Sequence, residues 1–301
     1  MIDEFLRRFA QCGSRKCRFS VRKWADERMT PLEMAALRER VHDLPPDLRP
    51  WLSRFENLPK ARATVPQAYR AQEVAPGICL YTGERSPAER KALILAFSGG
   101  ALLLLVPIAF LLQFIPSSRF DIVVLQDSGL AHYARGIPPY AHSFPALLRG
   151  LDVDLGFSAY EALYTCGSSM GGFPALRAGI LTNARRAVSL GGRLAWHVRR
   201  LQGDGGSVLP AFDPLCECMR RKDTDLVCVY GADHEVDRDH AERLSRAYPA
   251  RRLPIRGVGS HNTIFELAKA GRLQGFLDAM FDIPGGQPEA EFLADDLEKA
   301  G

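Results

Sequence analysis

The sequence predicts an α/β protein, a mostly parallel central sheet with helices on both faces, together with an N-terminal helical extension. Three observations predict it. From about Gly77, short apolar runs alternate with helical stretches, the rhythm of parallel strands joined by crossover helices. Several of those runs, including 92–97 and 226–230, are apolar without a polar alternate, as strands buried on both faces must be. Residues 1–75 lack this rhythm and read as helical. At 301 residues, 47% hydrophobic and 25% charged, the chain has material for one large core plus an appendage.

Each element has its own justification. In the first 75 residues, Thr30-Pro31-Leu32-Glu33 is a capping box with proline at the first helical position, opening a helix to about Val41. Pro45, Pro46, Pro50, Pro59 and Pro66 then cut the segment into short pieces. A catalytic domain is expected over residues 76–284, with strands at 77–82, 92–97, 121–126, 160–165, 187–190, 226–230 and 253–257. Helices are expected near 101–115, 143–150, 171–182, 236–247 and 262–281. Residues 192–222, with Gly203, Gly205, Gly206, Pro210 and Pro214, read as a small insertion, and 285–301 as a flexible acidic tail.

Residues 92–115 form a nearly continuous apolar stretch long enough for a membrane span. Ser98-Gly99-Gly100 interrupts it, and Pro107 and Gln113 follow, so a buried strand, a glycine turn and a deeply packed helix are expected instead. The charge is uneven. Residues 1–70 hold 15 Lys and Arg against 9 Asp and Glu, although the whole chain carries only +4. A solvated helical face accounts for that basic segment, and no nucleic-acid partner is expected. Seven irregularly spaced cysteines suggest free thiols in a reducing compartment. Cys79, Cys166 and Cys228 lie in apolar runs, and neither Cys12/Cys17 nor Cys216/Cys218 has a companion pair at zinc-site spacing, so no metal is expected. The N-terminus lacks the apolar core of a signal peptide, and a cytoplasmic location is the expectation.

The chemistry is concentrated at Gly167-Ser168-Ser169-Met170-Gly171, a G-x-S-x-G pentapeptide between a strand-like and a helical run. A serine at such a turn projects its hydroxyl from strained backbone, and the helix below stabilises developing negative charge. Only Ser169 is framed by glycines two residues away on each side. A serine nucleophile needs a base, and the base needs a carboxylate to orient it. Strand 226–230 leads into Gly231-Ala232-Asp233, and the last strand into Ser260-His261-Asn262. The expected order is therefore Ser169, Asp233, His261. Asp233 is taken over Asp237, which could simply cap a helix. His261 is taken over His234 and His240, while His132, His142 and His197 read as surface or pocket residues.

On these three matches, residues 77–281 resemble the α/β-hydrolase fold. The resemblance implies Ser169 as nucleophile, His261 as base and then acid, and Asp233 as the orienting carboxylate. It implies an oxyanion hole built from the Met170 amide and a second amide after an early strand. Ser98-Gly99-Gly100 stands where the family usually has His-Gly, and Gly100 is the expected second donor. Ser98, Gly99, Asp127 and Tyr133 are candidate pocket residues, with Trp196 and His197 as further ones. The expected activity is a cofactor-independent serine hydrolase acting on a small ester, thioester or amide. An acyltransferase using the same triad, a catalytically silent scaffold and a membrane-anchored protein are the alternatives.

Overall fold

A computed structural model describes residues 1–42, 44–56, 65–84, 90–193 and 223–290. Most of the insertion at 192–222, with Trp196, His197, Cys216 and Cys218, lies outside the described residues, as does the acidic tail from residue 291.

One eight-stranded sheet organises these residues, in the order β1-β2-β4-β3-β5-β6-β7-β8. The strands are β1 (Arg70–Ala75), β2 (Ile78–Thr82), β3 (Ala92–Phe97), β4 (Phe120–Leu125), β5 (Leu163–Ser168), β6 (Arg186–Leu190), β7 (Asp225–Gly231) and β8 (Arg251–Ile255). β1 and β2 run antiparallel, and every pairing from β4 through β8 is parallel. β3, β4 and β5 are buried along their whole length, which their unalternating apolar sequences foreshadow. β1 is the strand that the helical reading of 1–75 missed. It is polar and half-exposed, carries a bulge at Glu73/Ala75, and gains its structure by pairing with β2 rather than from an apolar pattern of its own.

The helices are α1 (Ile2–Ala10), α2 (Arg15–Asp26), α3 (Pro31–Glu39), α4 (Arg49–Glu56), α5 (Ile108–Gln113), α6 (Phe144–Leu155), α7 (Gly172–Thr182), α8 (Glu235–Ala247), α9 (Thr263–Lys269) and α10 (Leu273–Phe281). One core face packs α5, α9 and α10 against the sheet, and the other packs α6, α7 and α8. The N-terminal helices form a separate apolar cluster around Phe5, Met29, Leu37, Leu48 and Trp51, joined to the rest through Ala109 of α5. Tyr81 of β2 fastens this layer, its hydroxyl lying 3.3 Å from Glu27 O and 3.2 Å from Arg28 O. The capping box at Thr30 is present, with both reciprocal bonds formed.

Three expectations are corrected. Cys12 and Cys17 form a disulfide between the end of α1 and the start of α2, so the free-thiol reading holds for Cys79, Cys166 and Cys228 but not for this pair. The helix expected near 101–115 shrinks to α5. Residues before Pro107 turn irregularly, with Leu102 and Leu105 at φ +62° and +68°. Their carbonyls serve distant partners: Leu102 O accepts from Gln126 Nε2 at 2.8 Å and Leu105 O from Asn262 Nδ2 at 2.7 Å. No helix among the described residues is long and apolar enough to cross a membrane. The helix expected over 262–281 is two, α9 and α10, divided at Gly271.

At the N-terminal edge of the sheet, Lys91 and Asp121 make a buried ion pair at 3.0 Å, each side chain 1% exposed. Lys91 also donates to Gly83 O and Ser117 O, and Tyr160 donates to Asp121 Oδ2. Removing one member of such a pair strands the other charge. Lys91→Met is expected to cost about 3–5 kcal/mol in urea unfolding, and Lys91→Met/Asp121→Leu to recover most of that loss. Equal losses in the single and double variants would contradict this account.

Candidate active site

β5 runs directly into the predicted turn. Gly167 and Ser168 are its last residues, Ser169–Gly171 form a 3-10 turn, and α7 follows. The strand therefore starts three residues later than expected, after the 3-10 turn Phe157–Ala159, and Ser169 stands at its tip. Ser169 has φ +51°, a left-handed conformation that costs a non-glycine residue about 1–2 kcal/mol. The flanking glycines permit it. A Cβ at Gly167 would lie 2.1 Å from Gly171 O, and one at Gly171 would lie 2.2 Å from Phe97 O. The neighbouring hydroxyl is unavailable: Ser168 is fully buried and its Oγ donates to Leu103 O at 3.2 Å. Ser169 is half-buried.

His261 follows β8 on the same C-terminal edge. Its Nδ1 lies 2.9 and 2.8 Å from the two oxygens of Asp237, whose carboxylate is 0% exposed. With Nδ1–H given to the carboxylate, Nε2 keeps the lone pair a general base requires. Nε2 is closed to solvent and has no hydrogen-bond partner among the described residues. Asn262, the next residue, donates to Leu105 O and accepts from Phe265 N–H, fixing the loop against the turn after β3.

Asp237, not Asp233, is thus the carboxylate on His261. The main-chain N–H of Asp233 bonds Val258 O at 3.1 Å while its side chain is exposed. The chain needs one further turn, the start of α8, before a side chain can point back to the loop after β8. Proximity to the strand end does not select the carboxylate that meets His261. The signal for it is periodicity: Asp237, His240, Ala241 and Leu244 form the buried stripe of α8, so this carboxylate sits where an apolar residue would be expected.

No protein-family model matches the chain, and no curated protein does. Solved structures do. The acylaminoacyl peptidase of Pyrococcus horikoshii superposes with a TM-score of 0.53 at 12% identity, over 75% of this chain and 44% of the peptidase. Est1E of Butyrivibrio proteoclasticus gives 0.48 at 12% identity over 72% and 100% of the two chains. The dienelactone hydrolase of Anabaena variabilis gives 0.46 at 13% identity over 71% and 96%. This chain has the α/β-hydrolase fold.

Within that fold, the turn after β3 abuts the serine. A Cβ added at Gly99 would lie 3.3 Å from Ser169 Cβ, whereas one at Gly100 would meet nothing within 4 Å. The Gly99 amide is committed to Leu103 O at 2.9 Å. The other residues expected to line a pocket are buried supports. Asp127 accepts main-chain N–H bonds from Gly129, Ala131 and Tyr133 at 3.0, 2.8 and 2.8 Å. The Tyr133 hydroxyl meets Ser98 O at 3.0 Å, Leu125 O at 2.7 Å and Ser98 Oγ at 3.2 Å, and burial pushes its pKa up. Together they clamp loop 127–136 to the turn beside Ser169.

That clamp holds His132, which the sequence suggests as a surface or pocket residue and which the fold buries. His132, at φ +51°, is 1% exposed and stands near the main chain of Met170. Neither of its ring nitrogens makes a hydrogen bond of ordinary geometry among the described residues. Burial, reinforced by the charge of Arg193, pushes its pKa down from 6.5 to about 4. His132 is therefore neutral beside the serine at ordinary pH. Its cost appears on acidification. Below about pH 6.5 the unfolded chain protonates it and the folded chain does not until about pH 4, so folding stability falls through that window. The loss between pH 7.5 and 4.5 is expected to be about 2–3 kcal/mol smaller in His132→Phe than in the wild type. Denaturant unfolding at the two pH values checks this, and identical pH dependence would refute it.

Proposed function

We propose that this protein is a serine hydrolase that forms an acyl-enzyme on Ser169, with His261 as general base and Asp237 as its orienting acid. The observation that carries the proposal is the bidentate contact of His261 Nδ1 with the buried Asp237 carboxylate, on the same sheet edge as the strained Ser169 elbow. The substrate is an ester, thioester or amide. Ser169 Oγ attacks its carbonyl carbon while His261 Nε2 takes the hydroxyl proton, and Asp237 stabilises the imidazolium that forms. The Met170 amide, at the start of the turn into α7, donates to the oxyanion. With the Gly99 amide already bound to Leu103, Gly100 supplies the second donor. The tetrahedral species collapses as His261 returns the proton to the leaving group. Water, deprotonated by the same nitrogen, then releases the acid.

A fluorophosphonate probe is expected to label Ser169, located by peptide mass spectrometry, and His261→Ala to abolish the label. Ester turnover should fall on the order of 10³–10⁴-fold in Asp237→Asn, where the ring loses its orienting charge, but less than about threefold in Asp233→Asn. A folded protein that takes no label would sink the hydrolase reading. A large loss in Asp233→Asn with little in Asp237→Asn would sink the choice of acid.

A further inference from the structure

Histidine is uncommon as a helix N-cap, where short hydroxyl, carboxylate and carboxamide side chains prevail. α8 nevertheless opens on His234, whose Nδ1 accepts the main-chain N–H of Asp237 at 3.2 Å. That N–H belongs to the residue whose carboxylate holds His261. The same Nδ1 stands 3.3 Å from Asp237 Oδ1, and the His234 and His261 ring centroids are 6.0 Å apart. An imidazole nitrogen with a lone pair accepts from an amide and cannot donate, and with a proton it does the reverse. His234 Nδ1 therefore faces one partner suited to each of its protonation states, and both partners are on Asp237.

We propose that His234 is a positioning residue for the His261–Asp237 pair. Neutral, it caps the turn that aims Asp237 at His261. Protonated from solvent, it releases the Asp237 amide, donates to Asp237 Oδ1 and competes with His261 for the carboxylate. The proposal rests on reading that pair as the base and acid of acyl transfer. Attack on a carbonyl turns His261 into an imidazolium, for which Asp237 is the counter-charge. A second imidazolium on that carboxylate divides the counter-charge and adds a like charge nearby, so catalysis is lost on protonating either ring. Among the described residues, the charged and titratable groups around His234 are Asp233, Glu235 and Arg238 on its own segment, Asp237 in the first turn of α8, and His261 from the loop after β8. Both rings face the one Asp237 carboxylate, so a proton gained by either acts on the contact of the other.

The test uses the full chain and two readouts. Nitrogen-15 spectra of the histidine rings should find His234 at pH 8.5 with its proton on Nε2 and a bare Nδ1. On acidification the His261 ring signals should move in two steps in the wild type, and in one step in His234→Asn, whose carboxamide oxygen keeps the helix capped. The logarithm of the fluorophosphonate labelling rate at Ser169 should fall with a limiting slope of about two per pH unit in the wild type and about one in His234→Asn. A proton on His234 Nδ1 at pH 8.5, or the same His261 titration in both proteins, would overturn the proposal. The wild-type tautomer decides even if the variant fails to fold. The ring spectra need no turnover, so two-step titration without any label at Ser169 would uphold His234 and defeat the hydrolase reading instead.

Discussion

The close approach of the Ser169 turn to the end of β3 constrains everything around it. Gly171 lies so near Phe97 O that a Cβ would stand 2.2 Å from it. The strand, the turn and α7 can occupy this space only with bare main chain at Gly167 and Gly171. That contact brings the loop after β3 against Ser169, and the Gly99 bond to Leu103 O then shapes the loop. Leu103 O takes the Ser168 hydroxyl as well, so one carbonyl engages that serine and fixes the adjacent turn. The positive φ of Ser169 is sustained because β5 is hydrogen-bonded on both sides and α7 is packed beneath it.

Support for the site comes from buried polar groups rather than from the pocket surface. Asp127 satisfies three amides of a loop that contains three non-glycine residues at positive φ, Leu130, His132 and Tyr133. Each left-handed residue is unfavourable alone, and the carboxylate offsets that cost by ordering all of them at once. Tyr133 then carries the order to Ser98, and its ring packs edge-on against Phe97 at 5.1 Å. The His261 side of the site is built similarly. A buried carboxylate in the first turn of α8 is held by two rings, one oriented by it and one capping its helix.

Much of the fold was legible because its cause is local. Seven of the eight strands announce themselves as apolar runs, and the G-x-S-x-G pentapeptide with its strand and helix flanks predicts the turn that forms. β1 was not legible, since a polar edge strand owes its conformation to a partner. Nor was the irregular path of 99–107, where leucines that favour helix give their carbonyls to Gln126, Ser168 and Asn262. Propensity lost there to hydrogen bonds made across the fold. The Cys12–Cys17 pairing was also invisible, because it depends on how α1 meets α2.

The sequence by itself determined the architecture, the serine turn and the histidine that follows the last strand. Those rest on periodicity, on glycines that no other residue could replace, and on a histidine following the last strand. Only the tertiary structure decided which carboxylate meets that histidine. Asp233 and Asp237 are four residues apart on one segment, and nothing local distinguishes a carboxylate in water from one against His261. The choice was made by the direction in which α8 leaves β7, because a hydrogen bond between distant segments is set by where both are placed.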